Sequence, residues 1–427
     1  MRPRPVRAPT VALALAFLAC NASAPDAPGP VVAPVEAPTE PPPIGEREHT
    51  PGAGARFAEN LRDAVRAQVP PDSRTDSPGW EAFYAPDAVH EVRVTLTEAA
   101  RDDLQSDGRT WVPAVVSVDG QVFPHAGVRR KGSTTWQNLS GKPSLKIKLR
   151  EFGDGPRLVG LERLTLNNMV SDPTQAREVI TLRLWRALGS NATRASFAQV
   201  WIDEEPYGLY SNVEALDDEW LQRRYDHPDG TLWEANNDAD FTEAGLPFWE
   251  LSEGSADDEA LLALTAALQE DGPFETRVGA VVNVPQFLRY WATCLATGAT
   301  DGYPFHLNDA YVYADPGNGG RLDFVPWGMD EAWVEPFSHW TAGELAAACE
   351  ADPACEEALA ATVVDVLARF EALDVDGMVT EAYATSEPLL SADPKVPYPR
   401  ATIDAARDEL RARIAGWPDK LRVDLGL

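Results

Sequence analysis

Apolar and polar residues alternate most cleanly over residues 89–96 (VHEVRVTL), the pattern of a half-buried strand, and Thr97 with the acidic residues after it opens a helix to Leu104. Residues 111–118, an Asp119-Gly120 turn and residues 121–123 predict a hairpin. A strand over 127–131 then leads into the small-residue loop Gly132-Ser133-Thr134-Thr135. The next strand, 144–149, puts Lys146 and Lys148 on one face and Leu145, Ile147 and Leu149 on the other. Residues 161–166 form a short strand, and Ser171-Asp172-Pro173 starts a helix that carries Arg177 and Glu178 and stops at Gly189, so Glu178 is expected well inside it. A further hairpin, 197–202 with 207–213, runs into Glu214-Ala215-Leu216-Asp217. Helices are expected over 256–269 and 284–296, the second mostly apolar and so buried, and over 344–348, 356–373 and 403–421.

Between these helices lies DGYPFHLNDAYVYADPGNGGRLDFVPWGMD, residues 301–330. Strands at 310–313 and 322–325 flank the turn PGNGG, so the hairpin folds its two ends to one side and brings Asp301, Asn308 and Asp330 within reach of one another. Two carboxylates and an amide at one spot suit Mg²⁺ held with a phosphate, and the orientation of a hydroxyl for attack. The same residue types also make ordinary turns.

Composition places this folded region in context. The chain has 427 residues, 44% of them hydrophobic, with 13 Trp, so a large core is available. A net charge of −30 argues against nucleic acid or an anionic membrane surface as partner and favours basic partners. At the N-terminus Arg2, Arg4 and Arg7 precede an apolar run over 11–19 and then Cys20, the order of a secretory lipoprotein signal with Cys20 lipidated, although Phe17 stands where Leu is usual. The expected organisation is a signal over 1–20, a Pro/Ala-rich spacer over 21–54, an N-terminal extension with a helical pattern at 57–69 over 55–86, and one folded domain over 87–427. Cys349 and Cys355 bracket a short Asp-Pro turn and are expected to form a disulfide, while Cys294 sits in an apolar helix as a buried thiol. Neither the Cys nor the six His show zinc spacing.

A strand, a glycine turn and a strand bearing a lysine is the arrangement that covers nucleotide phosphates in kinase-like folds, and a helix acid facing that lysine orients it. Lys146 with Glu178 is the expected pair; an ordinary basic hairpin and a solvated Arg177/Glu178 pair are the alternatives.

The landmarks GVRRKGSTTW with KPSLKIKL, LTLNNMVSDPTQARE, YGLYSNVEALD, and DGYPFHLNDAYVYAD with VPWGMDEAW occur in one order. With these, the chain resembles the spore-coat protein H (CotH) kinase family of atypical secreted kinases. The resemblance implies an α+β, two-lobed kinase-like fold, with a mixed β N-lobe and a mainly helical C-lobe, that uses ATP with Mg²⁺ or Mn²⁺ to phosphorylate Ser or Thr of a protein. Asp301 takes the role of catalytic aspartate. Asp330 and Asn308 hold metal, Lys146 contacts the phosphates, and Glu178 orients it. Gly132 and Ser133 cover the triphosphate, and the segment at Glu214 stands where a kinase hinge reads adenine. The partner would be a basic, Ser-rich protein, the compartment extracytoplasmic.

Three positions depart from the family pattern. Gly328 stands where the pattern Pro-Trp-Asp-X-Asp has its first aspartate, Asn308 follows Asp301 by seven residues, and the usual His-Asn pair is absent, so that Asp309 takes the amide's place if the register is set from Tyr311-Val312-Tyr313. These departures leave open a non-catalytic surface adhesin or envelope scaffold, and transfer of another group such as AMP.

Overall fold

The computed structural model describes residues 78–333 and 341–427; the expected signal, the spacer and the helical pattern at 57–69 lie outside them. Seven strands close into a barrel in the order β1-β2-β3-β4-β5-β7-β6. They are β1 (Val89–Leu96), β2 (Val112–Val118), β3 (Gln121–Lys131), β4 (Ser144–Lys148), β5 (Arg163–Asn167), β6 (Ala195–Ile202) and β7 (Glu205–Val213). All neighbours pair antiparallel except β1 with β6, whose parallel ladder runs from Val89 opposite Phe197 to Val94 opposite Ile202. Alternation dictates which residues fill the barrel: Val92, Val94, Val116, Leu145, Ile147, Leu166, Val200 and Ile202 are buried in one cluster. β3 is a single 11-residue strand where two short ones are expected.

The folded region begins earlier than residue 87. The helix Pro78–Phe83 docks on the barrel, burying Trp80, Phe83 and Tyr84 in the same cluster. His90 stacks on Phe83 with ring centroids 3.8 Å apart, and Glu81 accepts a 2.5 Å bond from Arg194.

A second sheet has the order β11-β10-β8-β9, all antiparallel, with β8 (Thr231–Ala235), β9 (Trp249–Glu253), β10 (Ala310–Asp315) and β11 (Arg321–Pro326). The expected hairpin is therefore the outer half of a larger sheet. Its edge at β11 is covered by the helix Val284–Thr297, whose Gln286 side chain donates to Phe324 O and accepts from Phe324 N at 2.5 and 2.6 Å. Helices Glu344–Glu350, Pro353–Ala372, Val375–Ser391 and Arg400–Leu425 follow, the third of them packing against β6 and β7 of the barrel. No helix among the described residues is long and apolar enough to cross a membrane. Cys349 and Cys355 are disulfide-bonded, with their Cα atoms 5.2 Å apart, and Cys294 is a free, buried thiol whose pKa burial raises.

The helix after β5 starts at Arg177, six residues later than its Ser-Asp-Pro signal suggests. The Asp172 carboxylate accepts from the N–H groups of Thr174, Ala176 and Arg177 at 2.9, 2.9 and 2.8 Å. A local turn thereby satisfies the donors first and delays the helix. Glu178 consequently lies in the first turn and not deep in the helix.

Candidate active site

The outer face of β3, β4 and β5 forms one wall of a cleft of about 730 Å³, and β8, the ends of the β10-β11 hairpin and the loop after β11 form the other. Register decides which side chains meet there. Arg129 pairs with Lys146 and then Thr165 across the barrel strands, while Lys131 pairs with Ser144 one step further along, and Asn167 pairs with Ser211. Residues two apart on a strand share a face about 6.6 Å apart. Arg129, Lys131 and Lys146 therefore all face the cleft.

Glu178 sits over the Lys131 end of this face, and the expected Lys146–Glu178 pair does not form. Both carboxylate oxygens of Glu178 accept from the Asn167 amide nitrogen, at 2.8 and 2.9 Å, and one accepts the hydroxyl of Ser211 at 2.5 Å. Asn167 in turn accepts from Lys131 Nζ at 2.6 Å, so the lysine coupled to the helix acid is Lys131, through one amide. Burial, with the negative charge of Asp330, pushes the Glu178 carboxyl up to about 7, against the Asn167 and Ser211 bonds and Lys131. Lys146 faces Glu234 of β8 instead; burial lowers its pKa, and Glu234 opposes that shift. The other lysines of this stretch are committed elsewhere, Lys148 to Glu151 at 2.8 Å and Lys142 to Asp393 at 2.6 Å.

The glycine loop is tied down at both ends. Arg130 donates to Gln137 O and to Gln105 O at 2.9 and 3.0 Å, and the Asn168 amide donates to Thr135 O and Lys142 O at 3.1 and 2.6 Å. Gly132 has φ 109°, a conformation that glycine adopts without strain, and a Cβ there would meet Thr135 Oγ1 at 2.7 Å. Gly132 and the exposed Ser133 both line the cleft.

Across from this basic wall lie Asp301, Asn308, Asp309 and Asp330. The Asn308 amide donates to Asp301 at 3.1 Å, which leaves its carbonyl oxygen available as a donor atom to a metal. Ser171 donates to Asp330 at 3.0 Å. Asp309 shares a hydrogen bond with Asp301, and burial together with Asp301 and Asp330 raises its pKa well above the usual carboxylate range. A Cβ at Gly328 would fall 2.2 Å from the Asp309 carboxylate, so that carboxylate fills the space beside residue 328. The available atoms are hard oxygen donors, the set that Mg²⁺ or Mn²⁺ takes.

A tighter acidic group exists elsewhere. Asp217, Asp218 and Glu219 bring carboxylate oxygens within 4.8 Å of one another, but Arg157 and Arg163 pair with them. The acids of the cleft are more open, as suits a metal shared between protein and phosphate oxygens.

Glu214 does not belong to the cleft. It is buried, accepts from Arg194 N at 2.9 Å and is paired with Arg223, so it braces the β6-β7 end of the barrel. Of the second sheet, β8 borders the cleft with Glu234 and Ala235, and Asn236, Asn237, Phe248 and Glu250 line it beyond. The lysine–acid coupling through Asn167 and the β8 border are the features that motif reading missed, whereas Asp309, the expected alternative to Asn308, lines the cleft beside it. The row shared by Lys131 and Asn167 could have been found only with the strand register in hand.

Comparisons with known proteins follow this geometry. Inner spore coat protein H of Bacillus subtilis (strain 168) is 25% identical over 187 residues, which is 41% of this chain and 51% of that protein. Spore coat protein homolog 1 of Rhizopus delemar is 25% identical over 181 residues, 39% of this chain and 29% of that protein. The matched segments thus span about half or less of these curated relatives. Among solved structures, the Shewanella oneidensis HipA–HipB–operator DNA complex overlaps 61% of this chain and 60% of its own at 16% identity and TM-score 0.32. The Helicobacter pylori proinflammatory kinase CtkA overlaps 75% and 94% at 7% identity and TM-score 0.29. The CotH kinase protein family matches residues 128–414, from β3 through most of the last helix and so across both walls of the cleft, and the chain belongs to that family.

Proposed function

We propose that this protein is a metal-dependent kinase that transfers the γ-phosphoryl group of ATP to Ser or Thr of a protein substrate, outside the cytoplasm, on a two-lobed kinase-like fold. The observation that carries this reading is the opposition, within one cleft, of Arg129, Lys131 and Lys146 to Asp301, Asp309 and Asp330. Phosphoryl transfer needs both: cations for the phosphate oxygens, and carboxylates for the metal and the attacking hydroxyl.

Asp301 accepts the proton of the substrate hydroxyl, and Asn308 holds its carboxylate in one orientation. Lys131, fixed by Asn167 and Glu178, binds phosphate oxygens, with Lys146 and Arg129 beside it. The loop at Gly132 and Ser133 closes over the triphosphate through backbone N–H groups. Asp330 and Asp309, with Asn308, hold the divalent cation, which when bound neutralises charge on the β- and γ-phosphates. β8 borders the nucleoside end, where Phe248 and Asn236 are at hand.

The family membership, and the names of the spore-coat relatives, support a secreted or coat-associated setting. The sequence of residues 1–20 supports lipid anchoring at Cys20. The net charge of −30 supports a basic substrate. The test is transfer of radiolabelled phosphate from ATP with Mn²⁺ to a basic, Ser-rich protein. Asp301→Ala and Asp330→Ala are expected to fold and to lose transfer by about 10³-fold or more. Transfer undiminished in both variants would remove the assignment. Absence of nucleotide binding at millimolar ATP would favour the scaffold reading instead.

A further inference from the structure

Four cations that line the cleft rest on indole faces. Arg129 lies over Trp111 at 5.0 Å, Arg109 and Arg130 over Trp136 at 4.6 and 4.4 Å, and the Lys131 ammonium over Trp327 at 5.6 Å. Lys142 and Lys148, which do not line the cleft, are held by the carboxylates of Asp393 and Glu151 instead. The difference has a chemical consequence. A carboxylate offsets a cation's charge and takes up its N–H groups, so an arriving phosphate must displace it. A ring face attracts the cation through its quadrupole and takes neither.

Of the three rings, Trp327 alone comes with the acidic wall. It is the first residue after β11 and stands three before Asp330. Its place is set by its own N–H, which donates to Asp309 O at 3.2 Å, and by the buried ring of Tyr311, packed edge-on with centroids 5.6 Å apart and planes at 72°. Lys131 ends β3 on the facing wall, where its ammonium donates to the Asn167 amide oxygen at 2.6 Å. The ammonium is thus held from both sides by neutral groups. It has three N–H donors, and Asn167 takes one.

We propose that Trp327 is a positioning residue for phosphate binding: its indole face sets the place of the Lys131 ammonium and leaves the charge and the remaining N–H groups to the phosphate oxygens. The inference rests on the phosphoryl-transfer reading above and adds the means by which the loop that carries Asp330 fixes the lysine on the facing wall. A shift of that loop removes one of the two supports of Lys131, so the acidic and basic halves of the cleft are set together.

The test is calorimetric titration of the full chain with a non-hydrolysable ATP analogue in the presence of Mn²⁺, with thermal melting of each variant alongside. Trp327→Leu keeps an apolar side chain and removes the ring; it is expected to weaken nucleotide binding by about threefold to tenfold. Trp327→Phe keeps a smaller ring face and is expected to lose less than Trp327→Leu at a similar melting temperature. In a Lys131→Met background, Trp327→Leu is expected to change affinity by less than about twofold, whereas a merely structural role would repeat the full loss. Wild-type affinity in Trp327→Leu, or losses that multiply in the double variant, overturns the inference and leaves the phosphoryl-transfer reading standing. Failure of the wild type to bind the analogue overturns both. If Trp327→Leu does not fold, the same cycle with Trp327→Phe decides.

Discussion

The ion pair between Lys142 and Asp393 joins the loop before β4 to the segment that precedes the last helix, and removing one partner is the sharpest stability experiment the molecule offers. Both side chains are almost wholly buried, at 2% and 0% relative exposure, with Nζ and Oδ2 2.6 Å apart. Asp393 also accepts from Leu209 N at 2.9 Å and from Lys395 N at 2.7 Å. Asp393→Ala leaves an ammonium group in the interior whose other close partner among the described residues is the face of Tyr210, 5.2 Å away. Breaking one side of a buried pair costs about 3–5 kcal/mol, and the two orphaned N–H groups add about 1 kcal/mol each. Lys142→Met costs less, because Asp393 keeps both of its N–H donors. The double variant should fall short of the sum of the single ones by about 1–3 kcal/mol. Burial lowers the Lys142 pKa and Asp393 holds it up, so without Asp393 the folded-state value drops further below the unfolded one. The unfolded chain then binds more protons, and stability rises with pH. The deficit of Asp393→Ala should therefore shrink as pH rises from 7 toward the ordinary lysine value of about 10.4. Urea unfolding followed by tryptophan fluorescence reads both effects as midpoint shifts at constant slope. A cost below about 1 kcal/mol, or a deficit independent of pH, would refute the reasoning.

Other consequences can be checked in parallel. Lys131→Ala should raise the KM for ATP and lower kcat more than Lys146→Ala does, since only Lys131 is coupled to Glu178; equal effects in steady-state kinetics would contradict that coupling. Burial raises the Asp323 pKa from its ordinary range to about 7. Because the folded state holds that proton where the unfolded state has lost it, stability on this account falls as pH rises from about 4 to 7, and Asp323→Asn should flatten the fall by up to about 4 kcal/mol. Melting temperatures of the two proteins across this range test the sign. Replacing Cys349 and Cys355 by Ser opens a loop of sequence separation 6 and should cost about 2 kcal/mol on the chain-entropy argument, a loss that thermal melting detects.

Local chemistry made much of this molecule readable from its sequence. Alternation marked β1, β2, β4 and the β10-β11 hairpin, Thr97 capped its helix as expected, and the Cys349–Cys355 pair followed from a short turn. The misreadings arose where a distant partner decides. Lys146 and Glu178 look like a pair along the chain, but the register of β3 on β4 and β4 on β5 places Glu178 over the row of Lys131 and Asn167. Glu214 follows a strand as a hinge acid would, yet Arg194 and Arg223 draw it away from the cleft. The helix Val375–Ser391 was not anticipated, since Gly377 and Pro388 interrupt its pattern; buried Val379, Ala382 and Leu390, and Arg407 bonded to Ser386 and Glu387, hold it. Gly328 read alone suggested a lost ligand, and only the space around it revealed the neighbouring carboxylate.

The last helix fixes when the cleft can come into being. Trp333, three residues after Asp330, is clamped by the Thr181 hydroxyl at 3.0 Å, by Arg413 at 2.7 Å and by the ring of Trp417 at 5.5 Å. Trp417 also donates to Leu295 O at 2.9 Å and packs where a Cβ on Gly298 would stand, just before Asp301. The loops that carry Asp301 and Asp330 thus acquire their final support from residues more than eighty positions downstream. A chain still emerging from a ribosome lacks that support. Completion of the two acidic loops therefore waits on the docking of the C-terminal helix.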